Sequence, residues 1–323
     1  MAQLPSHLFI GGNMKVQDII GSESRIKVIS GNGVPTVMPT AWQPVLSGCQ
    51  AIVVIPDMHV APATSPLDNF KFGAGAMLDF LQFLSDTKDA LDDPADLKIF
   101  QIGDLYELRF PGSHVNSTVT DISKSSDTYS KIFNALNDLN ANKLYGNHDF
   151  ENRHFAGFNF NYVVGKVYLE HGFAADDWTA NPLNPLNDPM MLVFLKMREF
   201  NEFLDSMQTA VGVDMSDKNF SWGVTSGKDE VTTMPSTADY MKDYKRIYDY
   251  YTARMRASAQ GADCKITIVG HTHCPHLDAN IDAGKYMYFD CGAWTVGRSD
   301  FLVLTNEEAA ICHYSRTGGG PDV

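Results

Sequence analysis

Seven residues of this chain have the types and spacing to do metal chemistry, and each follows a stretch that reads as a strand. They are Asp57, His59, Asp104, Asn147, His171, His271 and His273. Together they offer two carboxylates, four imidazoles and one amide oxygen. Mixed nitrogen and oxygen donors suit Mn, Fe or Zn better than Ca, and the lack of cysteine among them speaks against a thiolate zinc site. Seven donors exceed what one tetrahedral ion takes, so two divalent metal ions are the natural count, and a shared carboxylate would hold them about 3.5–4 Å apart. Next to Asn147 stand two residues with proton chemistry. His148 can carry a proton near neutral pH. Asp149 can hold that imidazole in one tautomer, as the carboxylate of a catalytic triad does. By contrast, His154, Cys274 and His276 read as structural; His273-Cys274-Pro275-His276 lacks the second ligand pair of a Cys/His zinc site.

The elements that must carry these residues alternate between strand and helix. Ala51-Ile52-Val53-Val54-Ile55 is a continuous apolar run, as in a strand buried on both faces, and it ends at Pro56-Asp57-Met58-His59. Asp57 and His59 are two apart and share a side if the chain stays extended. The run 97–102 leads into Gly103-Asp104, the run 162–169 is predicted as one strand ending at Glu170-His171, and the run 265–269 leads into Gly270-His271-Thr272-His273. A helix is predicted over 70–84, with Phe72, Met77, Phe80, Leu81 and Leu84 inward. Another is predicted over 121–142, with Tyr129, Ile132, Phe133, Leu136 and Leu139 inward. The stretches 286–290 and 301–304 read as further, antiparallel strands, and 25–29 as a short one. This alternation predicts a layered α/β domain with its ligands at the carboxyl ends of strands.

Residues 173–262 differ in character. Met190 to Gln208 is predicted as an amphipathic helix, and Ser236-Thr237-Ala238-Asp239 as a helix cap. The helix after that cap carries Tyr240, Tyr244, Tyr248 and Tyr251 together with Lys242, Lys245, Arg246, Arg254 and Arg256. It reads either as a solvated helix face or as a cap that supplies cations to an anionic substrate.

Five blocks in this order resemble the calcineurin-like metallophosphoesterase superfamily: Asp57-Met58-His59, Gly103-Asp104 through Glu107, Gly146 to Asp149, His171-Gly172, and Gly270 to His273. The resemblance implies a four-layer α/β/β/α sandwich of two mixed sheets, with a phosphoesterase domain over 49–315. That domain would carry a mainly helical insertion over 173–262. Residues 1–48 would be an N-terminal extension packed on it, and 316–323 a disordered tail. It implies that Asp57, His59 and His273 hold one ion, that Asn147, His171 and His271 hold the other, and that Asp104 bridges them. The implied reaction is hydrolysis of a phosphomonoester or phosphodiester by in-line attack of a bridging hydroxide. His148 would protonate the leaving oxygen and Asp149 would orient it. Arg109, Arg153 and Arg298 are the candidate contacts to a phosphorylated substrate.

Glu107, Phe150 and Gly292-Ala293-Trp294-Thr295 look like the branch of UDP-2,3-diacylglucosamine pyrophosphatases. That branch usually carries Arg where this chain has His148. A non-catalytic scaffold of the same fold is the other alternative, though scaffolds tend to lose ligands that this chain keeps.

Composition bounds these readings. The chain has 323 residues, 44% hydrophobic, with a formal net charge of −14. So negative a surface repels duplex nucleic acid and anionic lipid, and a phosphate-handling site then needs its own positive charge, which bound ions supply. The five cysteines form no paired framework, the N-terminus lacks the pattern of a signal peptide, and no apolar run reaches bilayer length. A cytoplasmic location is the expectation.

Overall fold

The computed structural model describes residues 14–21, 23–65, 68, 70–108, 119–149, 152, 153, 155, 157–175, 233–257, 264–295 and 297–316. In chain order the helices are α1 (Val16–Ile20), α2 (Ala74–Asp89), α3 (Val119–Lys124), α4 (Asp127–Asp138) and α5 (Thr237–Arg256). The strands are β1 (Ile26–Val28), β2 (Thr36–Val37), β3 (Ala51–Ile55), β4 (Leu97–Ile102), β5 (Asn142–Leu144), β6 (Phe158–Asn159), β7 (Asn161–Val164), β8 (Val167–Glu170), β9 (Ile266–Val269), β10 (His276–Ile281), β11 (Tyr286–Asp290), β12 (Asp300–Thr305) and β13 (Glu308–Tyr314). The chain is α/β, with two mixed sheets.

One sheet runs β1-β13-β12-β3-β4-β5-β6, with β2 also paired to β13. Its half from β3 to β6 is parallel, with α2 crossing between β3 and β4 and α3 and α4 between β4 and β5. The other sheet runs β10-β11-β9-β8-β7, with a parallel centre and antiparallel edges. The stretch 286–290 thus pairs in parallel with β9 as well as antiparallel with β10, whereas 301–304 is antiparallel to both its neighbours.

Alternation along β3 explains its uniformly apolar sequence. Ala51, Val53 and Ile55 share a core with Met77, Phe80, Leu81 and Leu84 of α2 and with Ile132 and Leu136 of α4. Ile52 and Val54 point the other way, into a core shared with Val167, Leu169, Ile266, Ile268 and Phe289 of the second sheet. Side chains of the two sheets therefore meet in one apolar cluster. On the second sheet, α5 packs Tyr240, Ile247, Tyr251 and Met255 against Tyr168, Val269 and Tyr288.

Several expectations change in detail. Phe72 is exposed and sits in a 3-10 turn ahead of α2. The helix expected over 121–142 is two helices. Ser125 Oγ donates to Ile122 O, Ser126 caps α4 by accepting from Thr128 N, and the chain has become strand by Asn142. The strand expected over 162–169 is a hairpin, because β7 and β8 pair antiparallel across Gly165. Residues 26–28 and 36–37 of the N-terminal stretch pair with β13 as part of the first sheet. Arg316, expected in a disordered tail, is fixed by a 2.7 Å bond from its Nε to Ser299 Oγ. The predicted helix over 190–208 lies outside the described residues, as do Arg109, Phe150 and His154. Among the described residues no helix is long and apolar enough to cross a membrane.

Candidate metal centre

Five parallel strands deliver the predicted ligands from their carboxyl ends: β3 gives Asp57 and His59, β4 gives Asp104, β5 gives Asn147, β8 gives His171, and β9 gives His271 and His273. The loops after β3 and β4 continue the pairing of their strands. Met58 N and His59 N both donate to Asp104 O, and Glu107 N donates to Val60 O at 3.0 Å. Backbone strain concentrates here. Of the eight non-glycine residues with positive φ among the described residues, four are predicted ligands: His59 (49°), Asp104 (45°), His271 (71°) and His273 (56°). Such conformations persist only where surrounding contacts over-determine them, and they cluster at functional sites.

Close packing also fixes the glycines between strand and ligand. A Cβ on Gly146 would overlap the Asp104 carboxylate. Gly103 holds φ 105°, and a Cβ there would stand 2.6 Å from His171 Nδ1.

All seven predicted ligands converge. Asp57, His59 and His273 form one donor group, in which His59 Nε2 and His273 Nε2 are 3.0 Å apart and Asp57 Oδ2 lies 3.2 Å from the latter and 3.9 Å from the former. An ion about 2.1 Å from each donor needs separations of about 3.0–3.4 Å between neighbours, so this triangle fits one with little adjustment. A second group joins Asp104, His171 and His271. His171 Nε2 is 3.2 Å from Asp104 Oδ2 and 3.2 Å from Asn147 Oδ1, which adds the amide oxygen. Asp104 Oδ2 also lies 3.6 Å from His59 Nε2, so this one oxygen borders both groups.

The surroundings suit metal ligation. Metal-bound histidines usually donate their other ring N–H to a carboxylate or a carbonyl. His171 Nδ1 is 3.1 Å from Ile102 O, and His59 Nδ1 is 3.1 Å from Glu107 Oε2, which leaves Nε2 of each ring facing the donor group. Asp57 Oδ1 is buried and has no hydrogen-bond donor. An unsatisfied buried carboxylate oxygen is costly, and a cation removes that cost.

Three fully buried carboxylates stay ionised here. Burial alone would raise each, but His171 and His273 beside Asp57, His171 and His148 beside Asp104, and His148 and His59 beside Glu107 hold all three below their usual range. In return, although burial opposes it, Asp104 and Asp57 push His171 up to about 9. The pocket is thus a nest of anionic oxygens balanced, without metal, by protons on imidazole.

One role read from the sequence needs correcting. Asp149 does not touch the His148 ring. Its Oδ1 accepts from Gly146 N at 2.7 Å, and its Oδ2 from Leu105 N at 3.0 Å and Tyr106 N at 3.3 Å, so it ties the β5 loop to the β4 loop. The partner of His148 Nδ1 is Glu107 Oε2, at 2.7 Å. Glu107 was legible as part of the second block, but its position three residues after Asp104 said nothing of which ring it would meet. Among the candidate substrate contacts, Arg298 is buried and pairs with Asp300, while Arg153 stands partly exposed on the segment after the β5 loop. The basic residues of α5 largely face nearby carboxylates: Lys245 faces Asp249, Arg256 faces Asp282, and Arg254 lies 3.6 Å from Glu170.

No protein-family model matches the chain, and no curated protein matches it.

Proposed function

We propose that this chain is a binuclear metal-dependent phosphoesterase of the calcineurin-like type, acting on a small or medium phosphorylated substrate. The observation that carries this reading is the sharing of Asp104 Oδ2 between two donor groups, with His148 at their edge. The fold is consistent with it. Helices α2 and α4 cover the outer side of one sheet, α5 covers the other, and the inner faces share a core, as in a four-layer α/β/β/α sandwich.

Asp57, His59 and His273 would hold one ion, Asn147, His171 and His271 the other, and Asp104 both. Bound divalent ions lower the pKa of water and neutralise charge on a phosphoryl group. The chain's own part is positional and protonic. Glu107 holds Nδ1 of His148, and Nε2 would deliver a proton to the leaving oxygen, help worth roughly 10²–10⁴-fold. Asp149 fixes the loop that carries His148. The mixed imidazole and oxygen donor set suits Mn, Fe or Zn by chemistry, and Mn is the ion to test first.

The test is hydrolysis of an aryl phosphate and an aryl phosphodiester with added Mn²⁺, by wild type and His148→Ala. Turnover that falls at least a hundredfold in the variant supports the reading. Full metal occupancy with no turnover of either ester counts against it and favours the non-catalytic scaffold.

A further inference from the structure

Two buried carboxylates beside the histidines of the second sheet belong to neither donor group. Glu170 precedes His171, and Asp290 lies against the turn His271-Thr272-His273. Thr272 Oγ1 donates to Asp290 Oδ2 at 2.6 Å, and the Tyr240 hydroxyl donates to the same oxygen at 3.1 Å. The Tyr288 hydroxyl stands 2.8 Å from that of Tyr240, and Gly292 N donates to Asp290 Oδ1 at 3.2 Å. Thr272 Oγ1 in turn accepts from Cys274 N at 3.0 Å, so this side chain ties the residue after His273 to Asp290. Glu170 accepts from the hydroxyls of Tyr168 and Tyr251, with Arg254 nearby.

Tyr240, Tyr251 and Arg254 all belong to α5. Tyr240 and Tyr251 are eleven residues apart, about three helical turns, and so stand on one face. Buried carboxylates are a poor way to stabilise a core, since apolar groups of like volume do as well or better. What they supply is direction. Both histidines of the turn hold left-handed backbone, which non-glycine residues rarely keep unaided.

We propose that α5 is a positioning element of the metal centre. Through Asp290 it fixes the turn that carries His271 and His273, and through Glu170 it fixes the strand end that carries His171. This rests on reading those histidines as metal ligands. Because the turn presents one histidine to each donor group, loss of the Thr272 contact weakens binding at both, whereas loss of the Tyr251 contact weakens chiefly the group with His171. Linkage is reciprocal, so metal binding must tighten α5 on the sheet.

The experiment is Mn²⁺ titration of the metal-stripped full chain by calorimetry, with hydrogen exchange of residues 237–256 measured with and without Mn²⁺. Thr272→Val should bind Mn²⁺ 10- to 100-fold more weakly, as expected for loss of an outer-shell contact, and Thr272→Ser should restore affinity to within a few-fold of wild type. Mn²⁺ should slow exchange in α5 of wild type and do so less in the Tyr240→Phe/Tyr251→Phe double variant. That double variant keeps its ring packing and carries the test if Thr272→Val does not fold. Wild-type affinity in both Thr272→Val and the double variant overturns the role of α5 and leaves the metal reading intact. A wild type that binds neither Mn²⁺ nor Zn²⁺ overturns both.

Discussion

Glu107 Oε2 stands 2.7 Å from His148 Nδ1, and the same oxygen lies 3.1 Å from His59 Nδ1. The proposed proton donor and a proposed metal ligand are therefore oriented by one buried atom. Glu107→Gln keeps the shape but removes the charge that both rings rely on. It is expected to lower kcat for an aryl phosphate about 10- to 100-fold and to weaken Mn²⁺ binding together with it. His148→Asn should lower kcat at least as much while leaving Mn²⁺ affinity within a few-fold of wild type. Steady-state kinetics at saturating metal, with calorimetry on the same variants, separates the two. An unchanged kcat in Glu107→Gln would remove Glu107 from the mechanism.

Gly146 lies where the chain leaves β5, and a single added methyl there meets the Asp104 side chain and, at 2.7 Å, the Asp104 amide. Gly146→Ala must displace the carboxylate that borders both donor groups. Overpacking of this kind costs about 1–3 kcal/mol, and the displaced ligand adds a loss of metal affinity. A lowered Tm together with weakened Mn²⁺ binding is expected. Wild-type metal affinity in a folded Gly146→Ala protein would show that Asp104 is not a shared ligand.

Metal must compete with protons. Burial would lower His171, but Asp104 and Asp57 hold it up near 9, so at neutral pH its ring is charged in the metal-free protein and has to lose a proton to ligate. Below pH 9 that proton is bound before metal and released with it. Apparent Mn²⁺ affinity at the group with His171 should therefore rise about tenfold per pH unit between pH 7 and 8.5. Calorimetry in buffers of different ionisation enthalpy should count about one proton released at pH 7 from His171, in addition to that released by His59 as the other group fills. A pH-independent affinity over that range would mean that His171 is not a ligand.

Much of this site could be read from one sequence, and the reason is local. A buried parallel strand needs a continuous apolar run, and the polar residues just past it must lie at its carboxyl end. Asp57, Asp104, His171 and His271 are of that kind, Asn147 follows only the short and half-polar Asn142-Lys143-Leu144, and all five converge. Short-range order was enough to list them, but not to pair them. Asp149 and Glu107 are both acidic and both close to ligands, and only the crossing of the β4 and β5 loops decides which carboxylate meets the His148 ring. Likewise β10 is broken by polar residues such as Asp278 and Asn280, and reads as strand only once its partner is known. Thr272 and Asp290 lie eighteen residues apart, and nothing in either neighbourhood announces the other.

His276 should make the protein acid-sensitive independently of the metal. It is buried, its ring stacks on Tyr240 with centroids 4.0 Å apart, and neither ring nitrogen has a hydrogen-bond partner. Burial lowers its pKa to about 4 against a weak opposing pull from Asp278. An unfolded chain takes up this proton near pH 6.5, whereas the folded chain resists it until about 4. Within that window the unfolded state binds more protons, so stability falls as pH falls, and none of the effect remains to be lost above 6.5. The full shift corresponds to about 3 kcal/mol at most. His276→Phe keeps the stack and cannot ionise. Urea denaturation of the metal-free protein at pH 7 and pH 4 should show the wild type losing up to that much more stability than the variant. Equal losses would mean that the imidazole is solvated enough to protonate freely in the folded state.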